Sequence, residues 1–203
     1  NEANIHTPIM TRGCHRVSKH PLDHLETDRN GRHAEGVLAS FRRLRLPADM
    51  DDVVHLLCDG DWPFHASSRL VPSDVSAIEL LTSDVDSYWI INGDTPVGLI
   101  RLLDLGDVQH GSPLFDIRIA SSHRGRGLGT AAVDWLTTHL FARFDVLHRI
   151  EATTRVDNGA MCRVLERSGY RLEGQLREAW LNSDGSRTDT VIYAIVRTEL
   201  ARL

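Results

Sequence analysis

Arg124-Gly125-Arg126-Gly127-Leu128-Gly129-Thr130 stands between two runs of different periodicity. Ahead of it, Pro113-Leu114-Phe115-Asp116-Ile117-Arg118-Ile119-Ala120 reads as a strand. Behind it, Ala131-Ala132-Val133-Asp134-Trp135-Leu136-Thr137-Thr138-His139-Leu140 reads as a helix. A glycine-rich turn at a helix start offers backbone N–H groups with no partner inside the helix, and the helix dipole favours negative charge there. Glycines let the main chain come close to a ligand, because they carry no Cβ. With two arginines beside it, the turn is a seat for phosphate. The plain alternative is an exposed strand-to-helix turn whose arginines are solvated.

Two common nucleotide loops do not fit. The dinucleotide fingerprint needs G-x-G-x-x-G, and here the glycines run G-x-G-x-G. The P-loop needs a lysine before its Ser or Thr, and Leu128-Gly129-Thr130 has none.

The chain has 203 residues, enough for one domain plus an extension. Net charge is −5, which implies no general attraction to nucleic acid. No run of 18 apolar residues predicts a membrane span, and the first residues show no apolar signal segment. Cys14, Cys58 and Cys162 are odd in number and widely spaced, as in a reduced, cytoplasmic protein. Lys19 is the only lysine among the basic residues, which reads as the coding bias of a GC-rich bacterial genome.

Residues 1–36 lack hydrophobic periodicity and read as a flexible N-terminal extension. They hold His6, His15, His20, His24 and His33. His20 and His24 have i, i+4 spacing, but no cysteine or carboxylate cluster completes a metal site, and none is expected. From 37 to 203 the pattern is that of one domain. Ser40 to Leu46 is a strand, and Pro47-Ala48-Asp49 opens a helix with Asp49 at the cap. Trp62-Pro63-Phe64-His65 is irregular, because Pro63 restricts the residue before it. A second helix runs from Ser73 to Leu81. Ser87–Ile91 and Val97–Leu103 form a hairpin around Asn92-Gly93-Asp94. Further on come a strand at Arg149–Arg155, a helix at Asn158–Ser168, and a hairpin of Tyr170–Leu181 with Thr190–Arg197. The order β-α-α-β-β-β-α-β-α-β-β is α/β, with strands both parallel and antiparallel.

That order, with a glycine-rich turn after the fourth strand, resembles the GNAT acyltransferase superfamily, whose phosphate motif is Q/R-x-x-G-x-G/A. Arg124, Gly127 and Gly129 match it. The second half resembles the RimJ/RimL-like branch in Arg149-Ile150-Glu151-Ala152, Asp157-Asn158, Arg163 to Tyr170 and Glu173 to Glu178. The resemblance implies a GNAT fold: a mixed, mostly antiparallel sheet with a splay between the fourth and fifth strands, flanked by helices. It also implies acetyl-coenzyme A as co-substrate. The pyrophosphate would rest on the backbone from Arg124 through Gly125, Arg126, Gly127, Leu128 and Gly129 to Thr130, with both arginines meeting phosphate oxygens. The pantetheine arm would pair with strand backbone near Arg118, Ile119 and Ala120. Asn158 matches a position that contacts this arm, and is equally an ordinary helix N-cap.

Acyl transfer to an amine needs a proton acceptor, a polarised thioester and close orientation, but no covalent enzyme intermediate. Three groups are candidates for the acceptor role. Asp116 lies on the strand before the loop, opposite in facing to Phe115, Ile117 and Ile119. Glu151 lies within a strand between Ile150 and Ala152, where a pairing with Arg118 or Arg149 is the simpler account. His65 sits in the irregular segment that walls the acceptor site in such enzymes. In the pattern N-x-x-S, which supplies a hydroxyl to the departing thiolate in relatives, the serine position is Met161. Tyr170 and Tyr193 are then alternative donors.

The function expected is N-acetyl transfer to a primary amine of a protein N-terminus, an antibiotic or a small metabolite, by direct attack in a ternary complex. The alternatives are a coenzyme-A-binding sensor without turnover and a transferase of another acyl group such as succinyl. The partner is an amine acceptor, with neither nucleic acid nor membrane involved; a homodimer is left open. Acids at Asp49, Asp51, Asp52, Asp59 and Asp61, and at Glu178, Asp184 and Asp189, would draw a cationic amine if they border the splay.

Overall fold

Strands β2 (Asp86–Asn92) and β3 (Thr95–Leu103) are buried on both faces, and the reason is their alternation. Tyr88, Ile90, Ile100 and Leu102 point into one core, and Trp89 and Leu99 into another. The computed structural model describes residues 39–65, 67–76, 80 and 85–200. The extension expected over 1–36, with His20 and His24, lies outside the described residues.

Strand β1 (Ala39–Arg43) leads into helix α1 (Met50–Asp59) and the short helix α2 (Pro72–Ser76). These helices cover one face of β2 and β3: Val53, Leu57, Trp62 and Val75 pack with Trp89 and Leu99. Strand β4 (Leu114–Ile119) follows, then helix α3 (Leu128–Arg143), strand β5 (Arg149–Arg155) and helix α4 (Gly159–Arg167). Strands β6 (Arg171–Leu181) and β7 (Arg187–Val196) form the last hairpin, ending in the short helix α5 (Arg197–Leu200). On α3 the buried residues Leu128, Ala132, Val133, Leu136 and Leu140 make a wide apolar stripe, which packs with Ile90, Ile100, Ile150 and Ile195.

Two hydrogen-bonded sheets share this second core. One has the order β1-β2-β3-β4 and the other β5-β7-β6. Every ladder among the described residues is antiparallel. The splay is expected between the fourth and fifth strands, and among the described residues no ladder joins β4 and β5. The gap is the splay.

Asp49 holds the cap position of α1 but makes no side-chain cap bond. Its carboxylate instead accepts from Arg42 Nη1 and Nη2, each at 3.0 Å, and from the Arg45 N–H at 2.6 Å. A bidentate guanidinium outcompetes a helix amide for the same oxygens. Asp86, buried at the start of β2, joins Arg43 and Arg143, tying β1 and the end of α3 to the sheet. Among the described residues, no helix is long and apolar enough to cross a membrane.

Gly98 lets β3 approach β4. A Cβ built there would lie 2.5 Å from the Arg118 carbonyl oxygen and 3.0 Å from Ile90 Cδ1. Gly98→Ala is expected to destabilise the domain by about 1–3 kcal/mol in urea unfolding. Gly174→Ala, where a Cβ meets nothing within 4 Å, is expected to leave stability nearly unchanged.

Candidate active site

The register of β4 decides which of its backbone groups face the splay. Ile119 pairs with Gly98 and Arg118 with Leu99, and the Ala120 N–H donates to the Val97 carbonyl at 2.9 Å. In an antiparallel ladder, successive residues alternate between bonding their partner and pointing away. Arg118 and Ala120 therefore turn their backbone groups to β3. The open edge belongs to Phe115, Ile117 and Ile119. Of the three residues expected to meet a pantetheine arm, only Ile119 turns its backbone groups to the splay, and Ile117 does so as well. The parity depends on how β4 pairs with β3, which no local pattern records. Both edge carbonyls have side-chain neighbours: Arg124 Nε donates to Ile119 O at 2.8 Å, and His65 Nε2 lies 3.3 Å from Ile117 O.

Ser112 joins the two edges just before β4 begins. Its Oγ accepts the Glu151 N–H at 2.8 Å and lies 3.4 Å from the Arg149 carbonyl. Beyond that point the strands are unpaired on their facing sides.

The loop after β4 has the geometry of an anion seat. Gly125 and Gly127 have φ of 73° and 82°, a left-handed conformation that favours glycine. Gly127 is the N-cap of α3 and no side chain caps the helix. The Ala131 N–H bonds back to Gly127 O at 3.0 Å, so the amides of Leu128, Gly129 and Thr130 precede the helical ladder. Gly129 has a packing role too: a Cβ there would stand 3.3 Å from Val164 Cγ2 on α4. Arg126 is exposed and makes no ion pair among the described residues. Arg124 differs from expectation. Its Nη2 donates to the Asp61 carbonyl at 2.7 Å, and its guanidinium lies 5.3 Å from the Trp62 ring centroid. Backbone carbonyls, rather than open solvent, hold two of its donors.

On β4, Phe115, Ile117 and Ile119 pack against the α3 core. Asp116 and Arg118 point the other way, toward the irregular segment after α1. Asp116 Oδ1 meets His65 Nε2 at 2.9 Å, and Oδ2 accepts from Arg118 Nε at 3.1 Å. Burial alone would push this carboxyl up, but the His65 and Arg118 contacts outweigh it and bring the pKa down to about 2. Assigning Nε2 as the donor to Asp116 leaves Nδ1 as the basic nitrogen of a neutral His65 ring. Nδ1 is buried and has no partner, and so is Arg118 Nη1. Trp62 supports His65 and Arg118. Its indole N–H donates to Leu57 O at 2.8 Å, its ring meets His65 edge-on at 5.9 Å, and the Arg118 guanidinium lies 5.4 Å from its centroid.

Glu151 is engaged elsewhere. It accepts from Arg149 Nε at 2.8 Å, while Arg149 grips Glu173 through Nη1 and Nη2 at 2.8 and 2.5 Å. The arginine pairing foreseen as the simpler account is what holds it. Asn158 is the N-cap of α4: its Oδ1 accepts from the Met161 N–H at 3.3 Å, and its Nδ2 donates to Thr154 Oγ1 at 2.9 Å. Met161 packs against the core. The two tyrosines are buried and already bonded, Tyr170 to Thr137 Oγ1 at 2.8 Å and Tyr193 to Glu166 Oε1 at 3.1 Å. Burial pushes both phenols up.

A cleft of about 380 Å³ opens beside His65, lined by Pro63, Ser68, Arg155, Trp180 and Asp184 among others. Arg155 holds Asp157 at 2.6 and 2.9 Å and lies 5.4 Å from the Phe64 ring centroid. Of the acids expected to face an amine, Asp184 lines this cleft. Asp52 and Asp59 line a separate cleft with His55, Ser121 and Ser122.

Residues 54–170 match the acetyltransferase (GNAT) family model. The chain belongs to this family. As a GNAT member it is an acetyl-coenzyme A-dependent N-acyltransferase. Solved structures with the same fold include Mycobacterium smegmatis RimJ in complex with CoA-disulfide (26% identity, 80% of this chain and 83% of that one, TM-score 0.66). A RimL ribosomal L7/L12 alpha-N-protein acetyltransferase with coenzyme A shares 17% identity over 78% of this chain and 93% of that one, with a TM-score of 0.65. Spermidine N-acetyltransferase from Vibrio cholerae, with CoA and spermine, shares 19% over 80% and 98%, with a TM-score of 0.68. No curated protein matches the chain. The residues present fit the co-substrate: an uncapped α3 N-terminus with left-handed glycines can take phosphate, and an unpaired β4 edge can take amides.

Asp116 also carries a stability signature. Its folded pKa, about 2, lies below the ordinary 3.8, so its contribution is present above pH 3.8 and is lost as pH falls toward 2. Asp116→Asn is expected to remove up to about 2 kcal/mol at neutral pH. The gap between wild type and variant in urea midpoint should narrow from pH 5 to pH 2.

Proposed function

We propose that this acyltransferase moves an acetyl group from acetyl-coenzyme A to a primary amine, by direct attack, with His65 as the base and Asp116 as its partner. The observation that carries this reading is the contact of His65 Nε2 with Asp116 Oδ1 at the open edge of β4, beside a cleft wide enough for an acceptor. The thioester supplies the acetyl group. The chain's residues then have three tasks. Backbone amides from Gly125 to Thr130, with Arg126, hold phosphate charge at the α3 N-terminus. The edge groups of Ile117 and Ile119 align an extended arm as a strand would. The His65–Asp116 pair accepts the proton that an ammonium must lose before it attacks, directly or through a water.

Ionised Asp116 fixes the imidazole tautomer and stabilises the imidazolium once formed, so it acts through His65. The acceptor classes that suit the cleft are a protein N-terminus, an antibiotic amine or a small metabolite amine. Free Cys58 and Cys162 accord with a reduced, cytoplasmic setting. A second reading, a coenzyme-A-binding protein without turnover, draws on Met161. Methionine offers no proton to a departing thiolate, and the nearby tyrosine hydroxyls are committed to other partners.

Incubation of the chain with acetyl-coenzyme A and a panel of peptides, aminoglycosides and polyamines is expected to release free thiol with at least one amine class. His65→Gln should lower kcat/KM by about 10²–10⁴. Tight coenzyme A binding by calorimetry, with no thiol release across the panel, would favour the non-catalytic reading.

A further inference from the structure

Three arginines from the donor-side elements converge on the segment that walls the acceptor cleft. Arg118 of β4 and Arg124 of the glycine-rich loop both lie against the Trp62 ring. Arg155, at the end of β5, lies against Phe64, with its Nη1 3.4 Å from the Pro63 carbonyl. Arg124 is the unusual one. It occupies the position of the phosphate motif where a side chain would be aimed at pyrophosphate. Yet its Nε is committed to Ile119 O and its Nη2 to Asp61 O, at 2.8 and 2.7 Å. The two carbonyls belong to different sides of the site: Ile119 to the open edge of β4, Asp61 to the acceptor wall.

We infer that Arg124 is a positioning residue, a latch that fixes the 61–65 segment, and with it His65, against the donor edge of β4. The inference rests on the donor and acceptor sides assigned under the proposed function. Its physical basis is the planar fork of the guanidinium, whose separate N–H groups can bridge two carbonyls while the flat face lies on an aromatic ring. Neither an ammonium nor an apolar side chain can do both. The segment needs such a latch because it has little regular structure of its own. Backbone bonds within it include the Trp62 N–H to Ser68 O at 2.8 Å and the His65 N–H to Trp62 O at 3.1 Å. Arg126, exposed and without an ion pair among the described residues, is the side chain left for phosphate. The motif's two arginines thus divide the work: Arg126 meets the donor and Arg124 holds the acceptor wall.

Hydrogen exchange of the full chain, read on the amides of Trp62 and His65, separates this from a phosphate-binding role. Arg124→Met is expected to speed exchange there by about tenfold or more, because two charge-assisted bonds are lost. Arg124→Lys should fall between Met and wild type. Coenzyme A affinity by calorimetry should change by less than about threefold in both, whereas Arg126→Met should weaken coenzyme A and leave exchange at the wild-type rate. Two results would each overturn the latch: unchanged exchange in Arg124→Met, or a loss of coenzyme A affinity of about tenfold that Arg124→Lys restores. If wild type itself fails to bind coenzyme A, the proposed function falls, while the exchange comparison still decides the role of Arg124.

Discussion

Strands β4 and β5 lie at the edges of two sheets, and no ladder joins them. An unpaired strand edge leaves N–H and C=O groups that must find partners or water, so leaving two such edges facing each other is costly. The fold tolerates it because a shared core holds the sheets together. Leu128, Leu136 and Leu140 of α3 pack with residues from both, among them Ile100 and Ile150. Cohesion therefore comes from apolar burial on one side of the gap, which needs no backbone pairing across it. Ser112 closes one end of the gap with its hydroxyl. Under the proposed reading, the rest takes a ligand with amides of its own, which supplies pairing that the fold omits.

Strand β4 carries three functions through simple alternation. Its apolar side chains anchor it to α3. Its opposite side chains, Asp116 and Arg118, reach the acceptor wall. Its backbone groups divide between β3 and the gap. A change of register by one residue would exchange all of these at once. Gly98 matters in this light, because its missing side chain allows β3 to lie close enough to fix that register. The Asp116–His65 contact is thus secured from the neighbouring strand β3.

What the sequence made legible was local. The glycines at 125 and 127 announced a turn, and both have positive φ. The hairpin at Gly93 and the ends of β5 were readable for the same reason, since turn chemistry and apolar alternation sit within a few residues. The site was only half legible. His65 stood out because Pro63 breaks regular structure beside Trp62, but its contact with Asp116 joins segments far apart in the chain. Motif position could not show that Arg124 reaches the Ile119 and Asp61 carbonyls, because it says nothing about where a long side chain ends. Tyr170 and Tyr193 looked available because a sequence does not show that Thr137 and Glu166 already hold them. In each case the deciding fact is a tertiary contact, set by packing.

The charges around the cleft bear on how an amine can be handled there. Asp49 was a candidate for attracting cations, yet it is paired with Arg42 away from the cleft, and Asp157 is paired with Arg155 at its border. Asp184 is exposed, with its Oδ1 accepting from both the Ser186 N–H and the Ser186 hydroxyl. Exposed charges are screened within about 8 Å at physiological salt. A cleft so balanced holds an ammonium weakly, and for this reaction that is an advantage. The ammonium is the unreactive form, and tight binding of it would deepen the ground state without lowering the barrier. Under the proposed reading, binding energy is better placed in the donor, along the β4 edge and the α3 N-terminus, with the half-buried His65–Asp116 pair beside the cleft.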